Sequence, residues 1–248
     1  MEWYKVAFGE IYPLVYPHRD DEEALRVAHS LLPLLEERSP LVDVACGNGR
    51  YMRAFQQAGL DVYGIDLSAY LLADAVASRA LRGRVVIGDM RLLPFRDECA
   101  GAVVNMFTSF GYFETDLDNV RVMQEIARVL APGGRFLMDF LNAGVLEREL
   151  SGGKPSVRGE DDIVIEELRQ ITDEGRVLEK RVRVTGTGRE PVDYSERLRL
   201  YRHDDLAAMA EASGLRPLAV YGDYDLGGFD AMGSPRVLLL CEKPRSSA

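Results

Sequence analysis

The stretch LVDVACGNGR at residues 41–50 runs from a short apolar segment into two glycines separated by one residue. An apolar run that ends in a glycine pair is typical of a buried strand that turns sharply into a helix. Glycine at such a turn lets a ligand approach the backbone closely, because it has no side chain. The stretch therefore predicts a strand-to-helix turn that binds a ligand at the carboxyl end of the strand.

The sequence on the C-terminal side of this stretch repeats the same alternation. Apolar runs predict four further strands, at 61–65, 84–87, 102–106 and 136–140. Helical periodicity predicts helices between them, one beginning after Ser68 and one over 116–130. The alternation is typical of an α/β fold with a doubly wound parallel sheet, in which ligands bind at the carboxyl ends of strands. Asp66 and Asp89 fall at those ends.

Residues 152–201 interrupt this alternation. Three segments, 163–171, 176–185 and 192–201, alternate apolar and charged residues, as expected of antiparallel strands with one solvated face. The first pattern then resumes with a helix and two strands. The chain is therefore divided into an N-terminal helical cap (1–40), a core (41–151 and 202–248) and an inserted antiparallel β lid (152–201). We expect the lid to form a wall of the pocket for a substrate.

The N-terminal cap carries apolar residues at helical spacing after Asp20 and Asp21, which stand where a helix N-cap belongs. Pro33 is evidence against one unbroken helix, because proline lacks a backbone donor and crowds the preceding turn. We therefore expect the helix to be interrupted at this proline.

The composition excludes several classes of protein. The net charge of −10 disfavours a nucleic-acid partner, because acidic surfaces repel phosphates. No apolar run is long enough for a membrane helix, and the N-terminus does not resemble a signal peptide. The three cysteines and three histidines show neither disulfide nor metal spacing, so no metal site is expected. A cytoplasmic protein is the expectation.

The glycine pair has two functional interpretations. A nicotinamide dinucleotide site requires a third glycine three residues after the second one, and Met52 stands at that position. A nicotinamide-dependent oxidoreductase therefore remains only an alternative. The pattern that remains is an acidic residue, Asp43, followed by a small residue and then by Gly47 and Gly49.

This pattern resembles motif I of the class I S-adenosylmethionine-dependent methyltransferases, with Ala45 in the place of the family's first glycine. The small-molecule branch of that family, and the sugar N-methyltransferases of antibiotic pathways in particular, is similar across the first half of the chain. Four further segments carry the resemblance: Gly88-Asp89-Met90, residues 105–113, Pro132-Gly133-Gly134 and Asp139-Phe140-Leu141-Asn142. The resemblance implies a Rossmann-like seven-stranded sheet whose last strand is antiparallel.

The resemblance also implies the cofactor, S-adenosylmethionine, and the residues that bind it. In the family, the residue matching Asp66 accepts the ribose hydroxyls, the residue matching Asp89 takes the adenine amino group, and an N-terminal tyrosine reaches the methionine carboxylate. The expected cofactor-binding residues are Tyr16, Asp43, Ala45, Cys46, Gly47, Gly49, Asp66, Leu67, Asp89, Met90, Asn105 and Met106.

The expected reaction is direct in-line displacement of the methyl group onto a small-molecule acceptor. A sulfonium is already an electrophile, so much of the acceleration comes from positioning the acceptor, and a base is needed only for a protonated acceptor. Candidate bases are Tyr112, Asp139, His18 and Tyr194, and the sequence does not choose among them. The alternatives are the oxidoreductase, a non-catalytic cofactor-binding module, and an RNA or protein methyltransferase. The edge strands of the insertion could pair two copies in a homodimer.

Overall fold

The computed structural model describes residues 6–16, 20–35, 38–150, 152–160, 162–186, 188 and 190–245. The strands are β1 (Leu41–Val44), β2 (Val62–Asp66), β3 (Val85–Ile87), β4 (Ala100–Asn105), β5 (Leu130–Leu141), β6 (Lys154–Glu160), β7 (Ile163–Thr172), β8 (Val177–Thr185), β9 (Val192–Arg199), β10 (Arg216–Tyr221) and β11 (Arg236–Glu242). The helices are α1 (Tyr12–Val15), α2 (Asp21–Leu35), α3 (Arg50–Gln57), α4 (Ala69–Arg79), α5 (Asp116–Val129), α6 (Ala143–Glu149) and α7 (His203–Ala212).

Seven strands form the central sheet in the order β10-β11-β5-β4-β1-β2-β3. The strands from β1 to β5 pair in parallel, and β11 runs antiparallel to both of its neighbours, β5 and β10. The predicted fold class is confirmed, including the antiparallel last strand. The chain reverses its direction of strand addition between β1 and β4, and α/β sheets bind ligands at such switch points.

Helices cover both faces of this sheet, as the uniformly apolar strands require. On one face α5 packs against β5 and α7 packs against β10 and β11, with Met123, Phe136 and Leu206 fully buried. On the other face α3 packs against β2, α4 packs against β2 and β3, and α2 packs against α3 and β5, with Leu35 and Phe55 fully buried. The sheet is therefore closed on both faces, and its strand ends are left to form a site.

Two local expectations were wrong. The helix of the N-terminal cap is not interrupted at Pro33: α2 includes this residue and continues to Leu35, and Leu31 and Leu35 hold the last turn in the core. Pro132-Gly133-Gly134 was expected to precede the fifth strand. Instead, β5 begins at Leu130 and the segment bulges out of its pairing with β4, with Gly133 at φ +77°.

The insertion is a separate sheet of four antiparallel strands in the order β6-β7-β8-β9, one more strand than predicted. The additional strand is β6, in residues 154–160, where the sequence had predicted no strand. The apolar face of the insertion is shared between two neighbours. Ile165, Val182 and Tyr194 pack against residues 6–16, which we call the N-terminal segment, whereas Leu178 and Leu198 pack in the core cluster that contains Phe140. The packing is apolar, and it joins the insertion to the cap.

Candidate active site

A cleft of about 750 Å³ opens at the carboxyl ends of β1, β2 and β4, where the strand order reverses. Ten of the residues expected at the site from the sequence line it: Asp43, Ala45, Cys46, Gly47, Asp66, Leu67, Asp89, Met90, Met106 and Tyr112. The topology therefore brings residues from the ends of four strands to one place.

The turn after β1 adopts the backbone that its glycines predict. Ala45 has φ +62°, a conformation that favours glycine, and it stands where the resembling family has its first glycine. A Cβ added to Gly47 would meet only Leu71 Cδ1, at 3.8 Å. At Gly49 an added Cβ would lie 2.3 Å from Leu81 Cδ1. Gly47 therefore keeps the cleft open, whereas Gly49 allows α3 and α4 to pack and does not line the cleft.

Asp43 is a buried carboxylate at the floor of the cleft. Its Oδ1 atom has no hydrogen-bond partner among the described residues. Burial, and then the negative charge of Asp66, raises the pKa of Asp43 well above its ordinary value. Burial likewise raises the pKa of the neighbouring Cys46 thiol, which is therefore neutral. A cationic or hydrogen-donating ligand would satisfy the oxygen that the protein leaves unpaired.

Asp66 bridges the two turns that border the cleft. Its Oδ2 accepts a hydrogen bond from the Gly47 N–H at 2.8 Å, and its Oδ1 accepts one from the Ser68 N–H at 2.8 Å. Ser68 itself caps α4, since its Oγ accepts from the Leu71 N–H. Burial raises the pKa of Asp66, and these backbone hydrogen bonds oppose the rise. Each carboxylate oxygen retains a lone pair that could accept from a diol.

Asp89 follows β3 and pairs with Arg91, whose Nη2 lies 2.6 Å from Asp89 Oδ2. The hydrogen bonds from Arg91 lower the pKa of Asp89. The Arg91 guanidinium also stacks 4.3 Å from the Phe113 ring centroid and lies 3.4 Å from Asp118 Oδ1. Asp89 is therefore ionised. Through Arg91, it connects the loop after β3 to the loop after β4.

Besides Gly49, four described residues that were expected at the site lie elsewhere. Tyr16 points away from the cleft, and its hydroxyl donates to Glu196 Oε1 on the insertion at 2.9 Å. Asn105 is fully buried and donates to the Val44 carbonyl at 2.8 Å, so it joins β4 to β1. Asp139 is fully buried in an ion pair with Arg236. Tyr194 is buried in the insertion, and His18 lies outside the described residues.

The structure adds aromatic residues that the sequence had not singled out as site residues. Phe8 of the N-terminal segment places its ring 5.8 Å from that of Tyr112, and its carbonyl accepts from Ser68 Oγ at 2.7 Å. Tyr12, and not Tyr16, lines the cleft from this segment. None of the described residues of the insertion lines the cleft, so it acts there only through the residues it contacts.

Arg50 is a further cleft residue that could have been recognised, because it directly follows the glycine pair. Its side chain is 7% exposed and forms an ion pair with Glu23 of α2. The guanidinium lies 4.6 Å from the Tyr51 ring centroid and 4.8 Å from that of Phe107. This stacking orders one end of the cleft.

Among the described residues that line the cleft, acidic side chains outnumber basic ones. Five of these residues are acidic: Asp43, Asp66, Asp89, Glu114 and Asp118. Two of them are basic, Arg50 and Arg91, and both are paired with carboxylates. A cationic ligand is therefore favoured over an anionic one.

Two features are absent from the described residues. No group of three or more His, Cys, Asp or Glu side chains in that part of the chain could hold a metal ion. No helix there is long and apolar enough to cross a membrane.

Comparison with known proteins shows what the chain resembles. Residues 42–138 match the model of the family described as a methyltransferase domain. A dTDP-3-amino-3,4,6-trideoxy-alpha-D-glucopyranose N,N-dimethyltransferase from Streptomyces venezuelae is 34% identical over 135 residues, which cover 53% of this chain but only 56% of that relative. A dTDP-4-amino-2,3,4,6-tetradeoxy-D-glucose N,N-dimethyltransferase from Saccharopolyspora spinosa is 28% identical over 225 residues, covering 86% of this chain and 87% of the relative.

Solved structures confirm the architecture over nearly the whole chain. The CcbJ methyltransferase from Streptomyces caelestis superposes with a TM-score of 0.80 at 22% identity, covering 96% of this chain and 98% of that one. The alignment thus extends over the insertion as well as the core. At this level of identity the likeness describes the fold.

Proposed function

Residues 42–138 are a methyltransferase domain of the class I S-adenosylmethionine-dependent type, and from this premise we propose that the chain methylates the amino group of a small molecule such as an amino sugar. S-adenosylmethionine is the cofactor of this domain. The alternative that a nicotinamide cofactor occupies the cleft has no support in the family match.

The residues of the cleft fit this cofactor. Asp66 has a lone pair left on each oxygen, as a ribose diol requires, and Asp89 is held ionised by Arg91. Asp43 offers its unpaired oxygen to a group that is positive or donates a hydrogen bond. Met90 and Leu67 supply apolar surface beside these carboxylates. The fit rests on residues that come from three separate strand ends.

When bound, S-adenosylmethionine supplies a methyl group on a positively charged sulfur, so an acceptor needs only an available lone pair. The chain's own residues then have two tasks. Phe8, Tyr12, Phe107 and Tyr112 surround the cleft with aromatic surface that excludes water. The acidic residues near its rim, Glu114 and Asp118, attract a cationic amine, which must reach the cleft and lose its proton before it reacts.

The acidic surplus of the cleft is the observation that carries the amine proposal. The two arginines among its described lining residues are each paired with a carboxylate, so the pocket is suited to an acceptor that carries a basic group. The names of the two dimethyltransferase relatives support the same class of acceptor. The relative from Saccharopolyspora spinosa aligns along most of the chain.

Incubation of the protein with S-adenosylmethionine and matched acceptors tests this proposal. The panel contains amino sugars, free and dTDP-linked, and the same sugars with a hydroxyl in place of the amine. We expect release of S-adenosylhomocysteine, and products heavier by one or two methyl groups, only with the amines. Asp66→Ala should abolish turnover at low cofactor concentration, and Asp97→Asn, at an exposed residue paired with Arg128, should not affect it.

Methylation of the hydroxyl compounds alone would contradict the proposed acceptor class. Methylation of a carrier protein or an RNA in place of every small amine would contradict the small-molecule assignment. Cofactor binding without turnover on any acceptor would favour the non-catalytic module.

A further inference from the structure

The wall of the cleft after β4 contains a two-residue turn with unfavourable backbone geometry. Phe107 and Thr108 have φ +56° and +61°, a region that residues with side chains rarely adopt. Two successive residues in this conformation persist only where their surroundings hold them. The turn matters because Met106, Phe107 and Ser109 all line the cleft.

Asp139, from β5, holds this turn from beneath. Its Oδ2 accepts a hydrogen bond from the Phe107 N–H at 2.8 Å, and its carbonyl accepts one from the Thr108 N–H at 2.8 Å. Arg236 donates to Thr108 Oγ1 at 2.9 Å from the other side. Both strained residues are therefore fixed by one aspartate and its ion-pair partner.

The carboxylate of Asp139 is fully occupied by donors. Arg236 approaches Oδ1 through Nε at 2.7 Å and Nη2 at 2.6 Å, and the Tyr224 hydroxyl donates to Oδ2 at 2.7 Å. Burial alone would lower the pKa of Arg236, but the Asp139 carboxylate beside it raises that pKa. The aspartate is fully buried and has no free lone pair with which to take a proton from an acceptor.

Phe107 connects the Asp139–Arg236 ion pair to the cleft. Its ring lines the cleft and lies 4.8 Å from the Arg50 guanidinium and 5.4 Å from that of Arg236. A change in the turn would rotate this ring and the adjoining backbone. Displacements of about 1 Å can cost roughly 100-fold in rate, because reaction depends on alignment.

We propose that Asp139 is a positioning residue, which with Arg236 holds the Phe107–Thr108 turn in the geometry that methyl transfer requires. The expected loss of methyl-transfer rate rests on the proposed function, whereas the role of Asp139 in holding the turn does not. It replaces the interpretation, left open by the sequence, that Asp139 acts as a base.

Asp139→Asn tests the proposal, because asparagine has one oxygen where the site needs two acceptors and turns an amide donor toward Phe107 N–H or Arg236. We expect kcat to fall about 10- to 100-fold, consistent with misalignment. The affinity for S-adenosylhomocysteine should change by no more than about threefold, since the carboxylates expected to bind it, Asp66 and Asp89, lie at the ends of other strands. The pH dependence of kcat should keep its shape, because no titrating base is lost.

A second substitution distinguishes positioning from proton transfer. Glycine adopts positive φ without strain, so Thr108→Gly in the Asp139→Asn background should restore the turn and recover about tenfold in kcat. Tyr224→Phe removes one donor while keeping the ion pair and gives a milder variant if Asp139→Asn does not fold. It should lower kcat in the same direction and by less. Asp97→Asn serves as the matched control.

Hydrogen exchange gives a readout that does not depend on any acceptor. In Asp139→Asn, or in Tyr224→Phe if that variant is used, the amides of residues 107–109 should exchange faster, and those of β1 should not. If exchange rises but no amine is methylated by the unsubstituted protein, the proposed function fails and the positioning contact stands. Unchanged exchange at the turn, or loss of one limb of the pH profile without rescue by Thr108→Gly, would overturn the positioning role.

Discussion

Asp43 is a single residue whose burial in the site lowers the stability of the folded protein when its carboxyl is ionised. Burial raises its pKa, and one of its oxygens is unpaired within the described residues. A carboxyl whose pKa is raised by folding stabilises the fold below its unfolded pKa of about 3.9, and that contribution is lost as pH rises through the folded pKa. Above its folded pKa the ionised carboxylate therefore destabilises the cofactor-free protein, and a ligand in the cleft would relieve that cost.

Asp43→Asn should therefore stabilise the cofactor-free protein while weakening the site. At pH 8 we expect Tm to rise by about 2–4 °C, which corresponds to roughly 1 kcal/mol in a chain of this size. The gain should be smaller at pH 5, because a raised pKa favours protonation of the Asp43 carboxyl as the pH falls. Differential scanning calorimetry at both pH values measures the effect, with Asp97→Asn as an exposed control. A lower Tm at pH 8, or an equal gain at both pH values, would contradict this role of burial.

At the scale of elements, the insertion and the N-terminal segment are joined by a buried charged cluster. Lys180 and Glu196 are each less than 10% exposed, and the Tyr16 hydroxyl accepts from Lys180 Nζ at 2.6 Å and donates to Glu196. Glu167 lies 3.5 Å from Lys180, and Arg158 bonds both Glu167 and the Val15 carbonyl. Phe8 and Tyr12 of the same segment line the cleft, so this cluster connects the insertion to one wall of the cleft.

Tyr16→Phe should consequently weaken the contact between the insertion and the N-terminal segment, and so speed the release of ligand from the cleft. The substitution takes a hydrogen-bond partner from two buried charges, a loss worth about 1–3 kcal/mol. If about 1.4 kcal/mol of that loss falls on closure of the segment, dissociation of S-adenosylhomocysteine becomes tenfold faster. Stopped-flow displacement measures this rate, and Tyr63→Phe, on β2, is the matched control. An unchanged rate in a folded Tyr16→Phe protein would show that the segment does not retain the ligand.

Local sequence patterns predicted the positions of the core strands well, but they did not predict which side chains contact each other. The positions of Asp66 and Asp89 followed from the ends of β2 and β3, because apolar runs mark buried strands. Which of Tyr12 and Tyr16 faces the cleft depends on how the insertion packs, and no local pattern carries that information. The partner of Asp139 is an arginine on β11, far along the chain, so no local motif could predict this ion pair.

At the scale of the whole molecule, the charge of the cleft has the same sign as that of the chain. The net charge of −10 and the acidic surplus in the cleft both favour a positively charged cofactor and a basic acceptor. Two copies pairing through β6, an edge strand of the insertion sheet, stays a prediction.

Isothermal titration calorimetry of S-adenosylhomocysteine and NAD with the unsubstituted protein and Asp66→Ala tests most directly that this cleft binds the methyl donor. We expect S-adenosylhomocysteine to bind and NAD not to bind. Asp66→Ala should weaken binding by about 1.5–3 kcal/mol, which is roughly 10- to 100-fold, because hydrogen bonds to a charged acceptor are lost. Binding of NAD alone, or unchanged affinity for S-adenosylhomocysteine in folded Asp66→Ala protein, would contradict the assignment of the cleft.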